Sequence, residues 1–110
     1  MITTHVLDTA RGAPAAGVPV RLARVSGAGA EEIGRASTDA DGRVRGIGPP
    51  RLEPGTYRLT FGTGEYLEAN QAAPAFFPEV TVTFTVDGQA PHYHVPLLLS
   101  PFGYSTYRGS

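Results

Sequence analysis

Three histidines, two of them a single residue apart, are the groups in this chain best suited to proton transfer near neutral pH. His92 and His94 open an apolar run that continues through Val95, Pro96, Leu97, Leu98 and Leu99. Side chains on a strand alternate between faces, so His92, His94 and Pro96 share one face and Tyr93, Val95 and Leu97 the other. A lone strand histidine is usually structural. A pair on one face is a stronger signal, because it costs solvation unless something uses it. The pair can carry protons, or it can join His5 as a three-histidine zinc site with an open position. The zinc reading lacks a glutamate nearby in the sequence to act as base. His5 shares the Thr3–His5–Leu7 face of an N-terminal strand, whereas Asp8 points the other way and reads as strand-end or turn chemistry.

Arg43 follows the turn residues Asp41-Gly42, and Arg45 lies on the same face if a strand continues. A hairpin arginine is most often solvated. The guanidinium fork is nevertheless suited to gripping urea-type carbonyls together with a developing oxyanion. The sequence closes on Tyr107-Arg108-Gly109-Ser110. Termini fray unless something holds them, and this one is expected to be held. No Ser-His-Asp arrangement and no glycine-flanked nucleophilic serine is recognisable. Any hydrolysis here therefore points to attack by an activated water over a covalent intermediate.

The elements that must position these groups are strands. Val80, Val82, Phe84 and Val86 alternate with threonines; Tyr57, Leu59 and Phe61 alternate with Thr56, Arg58 and Thr60. Val18, Val20 and Leu22 form a third such run. Glycine, proline and aspartate clusters fall between the runs, and Asp87-Gly88 reads as a short turn. Short strands at this spacing predict an all-β antiparallel sandwich. The window from Thr63 to Asn70 departs from the pattern and predicts one short helix capped by Thr63. The glycine- and alanine-rich segment from Ala23 to Gly34 reads as strand–loop–strand. The run from Tyr93 to Leu99 is apolar on both faces, too apolar for a solvated edge strand, and implies an interface.

Composition narrows the classes further. At 110 residues the chain has the size of one domain, residues 1–110. Hydrophobic content of 41% with 17% charged residues argues against disorder. A net charge of −1 leaves no electrostatic footprint for nucleic acid or anionic lipid. Cysteine is absent, so disulfides and thiol chemistry are excluded. No signal peptide and no apolar span of membrane length is visible, which makes a cytoplasmic protein the default expectation.

Three stretches in order carry a resemblance. The first is Thr4-His5-Val6-Leu7-Asp8-Thr9 with Gly12, Pro14, Ala15 and Gly17-Val18-Pro19-Val20, and the second is Thr38-Asp39-Ala40-Asp41-Gly42-Arg43. The third joins His92-Tyr93-His94 to Ser100-Pro101-Phe102-Gly103-Tyr104-Ser105-Thr106-Tyr107 and the closing Arg108-Gly109-Ser110. Together they cover nearly the whole chain, which resembles the 5-hydroxyisourate hydrolase family, the transthyretin-related proteins of purine catabolism. The resemblance implies a transthyretin-like sandwich assembled as a homotetramer, a dimer of dimers, with a small-molecule substrate and neither cofactor nor metal. It places His5, Arg43, His94 and Ser110 in the catalytic site, and His5, Arg43, Tyr107, Arg108 and Ser110 against the substrate. His92 becomes a neighbour. In the implied reaction neutral His94 takes the proton of a water that Ser110 helps to position. Arg43 stabilises the oxyanion, and His5 orients the substrate or protonates the leaving nitrogen; the two histidines can exchange roles. The rival readings are a transthyretin-type carrier and an adhesin-type sandwich domain, neither of which needs these four residues together.

Overall fold

The structure is a computed structural model that describes residues 1–71 and 74–110. Among the described residues nine strands form two sheets. The first contains β1 (Ile2–Asp8), β2 (Ala13–Pro14), β5 (Arg43–Ile47), β8 (Tyr93–Ser100) and β9 (Gly103–Thr106). The second runs β4 (Gly29–Ser37), β3 (Pro19–Ser26), β6 (Gly55–Phe61), β7 (Val80–Val86). Each alternating run of the sequence turns its apolar side inward. Val20 and Leu22 of β3, Tyr57, Leu59 and Phe61 of β6, and Val80, Val82 and Val86 of β7 are buried. They meet Ile2 and Val6 of β1, Val44 and Ile47 of β5, and Tyr93, Val95, Leu97 and Leu99 of β8. This is the all-β sandwich with one short helix that the sequence predicts. Residues 23–34 form the expected hairpin, with Ser26 paired to Gly29.

Three local expectations are corrected. The run Tyr93 to Leu99 is a central strand, flanked by β1 on one edge and β9 on the other, and it pairs in parallel with β1 from Ile2–Tyr93 through Asp8–Leu99. Its place inside the sheet, and not at an edge, is the correction; its double-sided apolar character gives it a core face and a partly covered outer face, which leaves the expected interface in place. Asp87-Gly88 does not make a hairpin, because β7 and β8 lie in different sheets. Gly88 has φ +79°, and Asp87 caps the crossover by accepting from the Gln89 N–H and the Tyr93 hydroxyl. The helix α1 (Thr63–Gln71) falls where expected, but the Thr63 hydroxyl donates to the Phe77 carbonyl and does not cap the helix.

Asp8 behaves as strand-end chemistry. It is fully buried and accepts from the Ala10 and Arg11 N–H groups and from the Tyr66 hydroxyl of α1, at 2.7 Å. A buried carboxylate needs such partners. The network pins the helix to the end of β1. Among the described residues no helix is long and apolar enough to cross a membrane.

Candidate active site

The two outer faces of the sandwich differ in kind. β6 and β7 present Thr56, Arg58, Thr60, Thr81, Thr83 and Thr85 outward, a solvated surface. The first sheet presents Thr3, His5 and Leu7 beside His94, Pro96 and Leu98, with Arg43 next to His5. These side chains are half-buried, and Pro96 is buried outright. Parallel pairing sets Thr3 opposite His94 and His5 opposite Pro96, while antiparallel pairing sets His5 opposite Arg43. Three strands distant in sequence thus bring the three predicted basic groups onto one face.

The turn before β5 aims Arg43. Asp39 accepts from the N–H groups of Asp41 and Arg43, both at 2.9 Å, and these bonds hold its carboxyl below the usual range. Gly42, at φ +75°, lies so close to β1 that a Cβ would sit 2.5 Å from the Val6 carbonyl oxygen. The neighbouring Arg45 is neutralised by Asp39 and Asp41 at 3.4 and 3.5 Å. Among the described residues no carboxylate pairs with Arg43, which separates the two arginines that sequence alone confuses.

An open cavity of about 560 Å³ lies over this face, lined in part by Thr3, Arg43, Arg45, His92, His94 and Ser110. Two other hollows are as large, but neither holds a histidine. The Thr3 hydroxyl stands between the imidazoles, 2.7 Å from His92 Nε2 and 2.8 Å from His94 Nδ1. His94 holds its proton less readily than a free histidine. Burial is the first cause; the Arg43 guanidinium comes next, then His92 and His5, against an opposing hydrogen bond with the Thr3 backbone. It is therefore a neutral imidazole at neutral pH, able to accept a proton. His5 is not in the cavity lining. Among the described residues no three His, Asp or Glu side chains are grouped to hold a metal ion.

The direction of that shift fixes a pH dependence. A base whose pKa lies below about 6.5 stays neutral until the solution is more acidic than that. The acid limb of kcat/KM should therefore fall below the ordinary histidine value, and a limb above it would contradict the assignment. For folding, the unfolded chain takes up this proton first as pH drops through about 6.5. The His94 contribution to stability is thus level above that pH and declines below it, down to the depressed folded value.

The tail is held. Gly109 N–H donates to the His94 carbonyl at 2.8 Å, and the Thr106 hydroxyl donates to the carbonyl of Pro96 at 2.7 Å. Pro96 offers no N–H, and the regular β8–β9 ladder stops beside it before the Gly109 bridge resumes. Ser110 is thereby set at the cavity with His94. Arg108 goes elsewhere: its guanidinium lies 5.1 Å over the Tyr93 ring, on the core side of β8, and it is drawn toward Asp87. Tyr107 and Arg108 line a second groove with Val82 and Phe84 of β7, and His94 borders it as well. Within one chain the structure brings His94, Arg43 and Ser110 to one cavity, with His5 adjacent, and places Tyr107 and Arg108 in the neighbouring groove that His94 also borders.

Two site residues escape sequence reasoning. Thr3 is visible only once the parallel β1–β8 register is known. Gly109 is needed because a Cβ there would meet the Cδ2 of His94 at 2.5 Å. Gly109→Ala must displace either the imidazole or the tail. A misplacement approaching 1 Å costs up to about a hundredfold in rate, so kcat should fall by roughly tenfold to a hundredfold with an unchanged melting temperature. Steady-state kinetics beside a thermal melt checks this.

A transthyretin-like sandwich with a neutral histidine, an unpaired arginine and a serine facing one cavity is the class these features define. The family model described as the HIUase/Transthyretin family matches residues 2–109, and the chain belongs to that family. It is 50% identical over 113 residues to the 5-hydroxyisourate hydrolase of Deinococcus radiodurans, covering 99% of this chain and 95% of that one. The mouse 5-hydroxyisourate hydrolase is 45% identical, over 99% of this chain and 94% of its own length. The Klebsiella pneumoniae 5-hydroxyisourate hydrolase structure superposes with a TM-score of 0.85 at 37% identity, covering 99% and 98% of the two chains. Transthyretin from Sparus aurata superposes with 0.88 at 30% identity, covering 98% and 95%. Backbone likeness alone does not separate hydrolase from transthyretin.

Proposed function

We propose that this protein hydrolyses 5-hydroxyisourate, opening the six-membered ring at its cyclic amide to give 2-oxo-4-hydroxy-4-carboxy-5-ureidoimidazoline. The observation that carries the reading is the neutral His94 imidazole, with Arg43 and Ser110 beside the same cavity, in a chain half identical to a protein named for this reaction. His94 accepts a proton from water as its oxygen attacks the ring carbonyl, and Ser110 helps to place that water. Arg43, with no carboxylate partner among the described residues, stabilises the oxyanion. The intermediate collapses with cleavage of the carbon–nitrogen bond, and the departing nitrogen takes a proton from His94 or His5. General acid–base catalysis contributes about 10²–10⁴-fold and one oxyanion donor about 10²–10³-fold.

Homotetramer formation and a cytoplasmic location belong to this proposal. The half-buried Leu7 and Leu98 beside Pro96 support a second copy covering the outer face of the first sheet. Tyr107 and Arg108 belong to substrate binding in this proposal, supported by the groove that they line together with His94. Carbon NMR of freshly made 5-hydroxyisourate with a hundredth part of protein tests the reaction itself. Accumulation of the ring-opened ureidoimidazoline faster than without protein supports hydrolysis. Unchanged substrate chemistry with stoichiometric binding identifies a transthyretin-type carrier instead.

A further inference from the structure

We propose that Thr3 and His92 form a proton relay behind His94, so that the positive charge taken from the attacking water resides on His92 and not beside Arg43. The inference rests on His94 being the base of the proposed hydrolysis.

The geometry is that of a three-member chain. The Thr3 oxygen is within hydrogen-bond distance of one nitrogen of each imidazole, and the ring centroids are 6.3 Å apart. A hydroxyl has a single proton, so it donates to one ring while accepting from the other. With His94 carrying its proton on Nδ1, Thr3 accepts from His94 and donates to His92 Nε2. This arrangement leaves the His94 Nε2 lone pair open to a water. The two ends of the chain have unequal surroundings. His94 is half-buried and feels the Arg43 guanidinium, whereas His92 is exposed to solvent. An imidazolium at His94 would lose solvation and face a like charge; at His92 water solvates it.

The proton count closes. His94 Nε2 takes the proton of the water as its oxygen bonds to the ring carbonyl. The His94 Nδ1 proton passes to Thr3, and the Thr3 proton passes to His92 Nε2, leaving His94 neutral and His92 cationic. When the carbon–nitrogen bond breaks, His94 Nε2 gives its proton to the departing nitrogen. The relay then runs back: His92 Nε2 returns a proton to Thr3, and Thr3 restores the one on His94 Nδ1. No proton is gained or lost by the enzyme over the cycle. His92 is thus a positioning and proton-storing residue that acts through His94.

The test compares Thr3→Val, Thr3→Ser, His92→Gln and His94→Ala in steady-state hydrolysis, with rates measured across mixtures of light and heavy water. Thr3→Val and His92→Gln should lower kcat by about tenfold with KM within about twofold, a part of the general-base contribution. Thr3→Ser, which keeps the hydroxyl, should restore the wild-type rate. The dependence of rate on deuterium fraction should be bowed in the wild type, from several protons in flight, and linear in Thr3→Val and His92→Gln. Wild-type kcat and a bowed dependence in Thr3→Val would overturn the relay. So would a Thr3→Ser variant as slow as Thr3→Val, which would mean that Thr3 only packs. Should Thr3→Val fail to fold, the exposed His92→Gln variant decides by the same criteria. An inactive His94→Ala beside an unaffected His92→Gln removes the relay alone; a fully active His94→Ala removes the reading on which it rests.

Discussion

His94→Ala should turn over 5-hydroxyisourate about a hundredfold to ten-thousandfold more slowly than the wild type, the range that a positioned general base contributes. The imidazole lines the same cavity as Arg43 and Ser110 and keeps a lone pair at neutral pH. Its removal should leave the fold intact for a structural reason. The core side of β8 is made by Tyr93, Val95, Leu97 and Leu99, and His94 points the other way. The β1–β8 ladder and the Gly109 bridge use the backbone of residue 94, which alanine retains. A cooperative melt close to that of the wild type, together with collapsed turnover, is the expected pair of results. Loss of both would point to a structural histidine.

Arg43→Ala should cost about 10²–10³-fold in kcat, the magnitude seen when one oxyanion donor is removed. The guanidinium has no carboxylate partner among the described residues, so its charge is available to substrate. Arg43→Lys should recover only part of the loss, because an ammonium cannot present two parallel donors. Arg45→Ala is the internal control. Arg45 is held by Asp39 and Asp41 and is exposed, so its replacement should leave kcat nearly unchanged. Equal effects at both positions would mean that Arg43 acts only through the general field of the cavity. Because Arg43 also lowers the proton affinity of His94, Arg43→Ala should raise the apparent pKa of the acid limb.

Much of this architecture is legible in the residues because local alternation survives folding. The runs at Tyr57–Phe61 and Val80–Val86 need only a two-residue period and flanking breakers to be read, and both are strands with the expected faces inward. What depends on contacts between distant segments is not legible in this way. β8 looks like a covered edge because nothing local reports that β1, some ninety residues earlier, lies parallel beside it. Thr63 looks like a cap because its competing partner, the Phe77 carbonyl, is on the far side of the helix in sequence. The site shows the same division. His5, Arg43, His94 and Ser110 stand out by residue type and by resemblance, whereas Thr3 gains meaning only from the register that sets it between two imidazoles. Gly109 gains its meaning only from the van der Waals distance to one of them.

The most direct test of the central claim is the ultraviolet decay of 5-hydroxyisourate, freshly generated from urate and urate oxidase, followed with and without a catalytic amount of this protein. The account predicts decay well above the spontaneous rate and proportional to protein concentration. Decay at the spontaneous rate, with the protein folded and assembled, would contradict it and leave the histidine face as a binding surface.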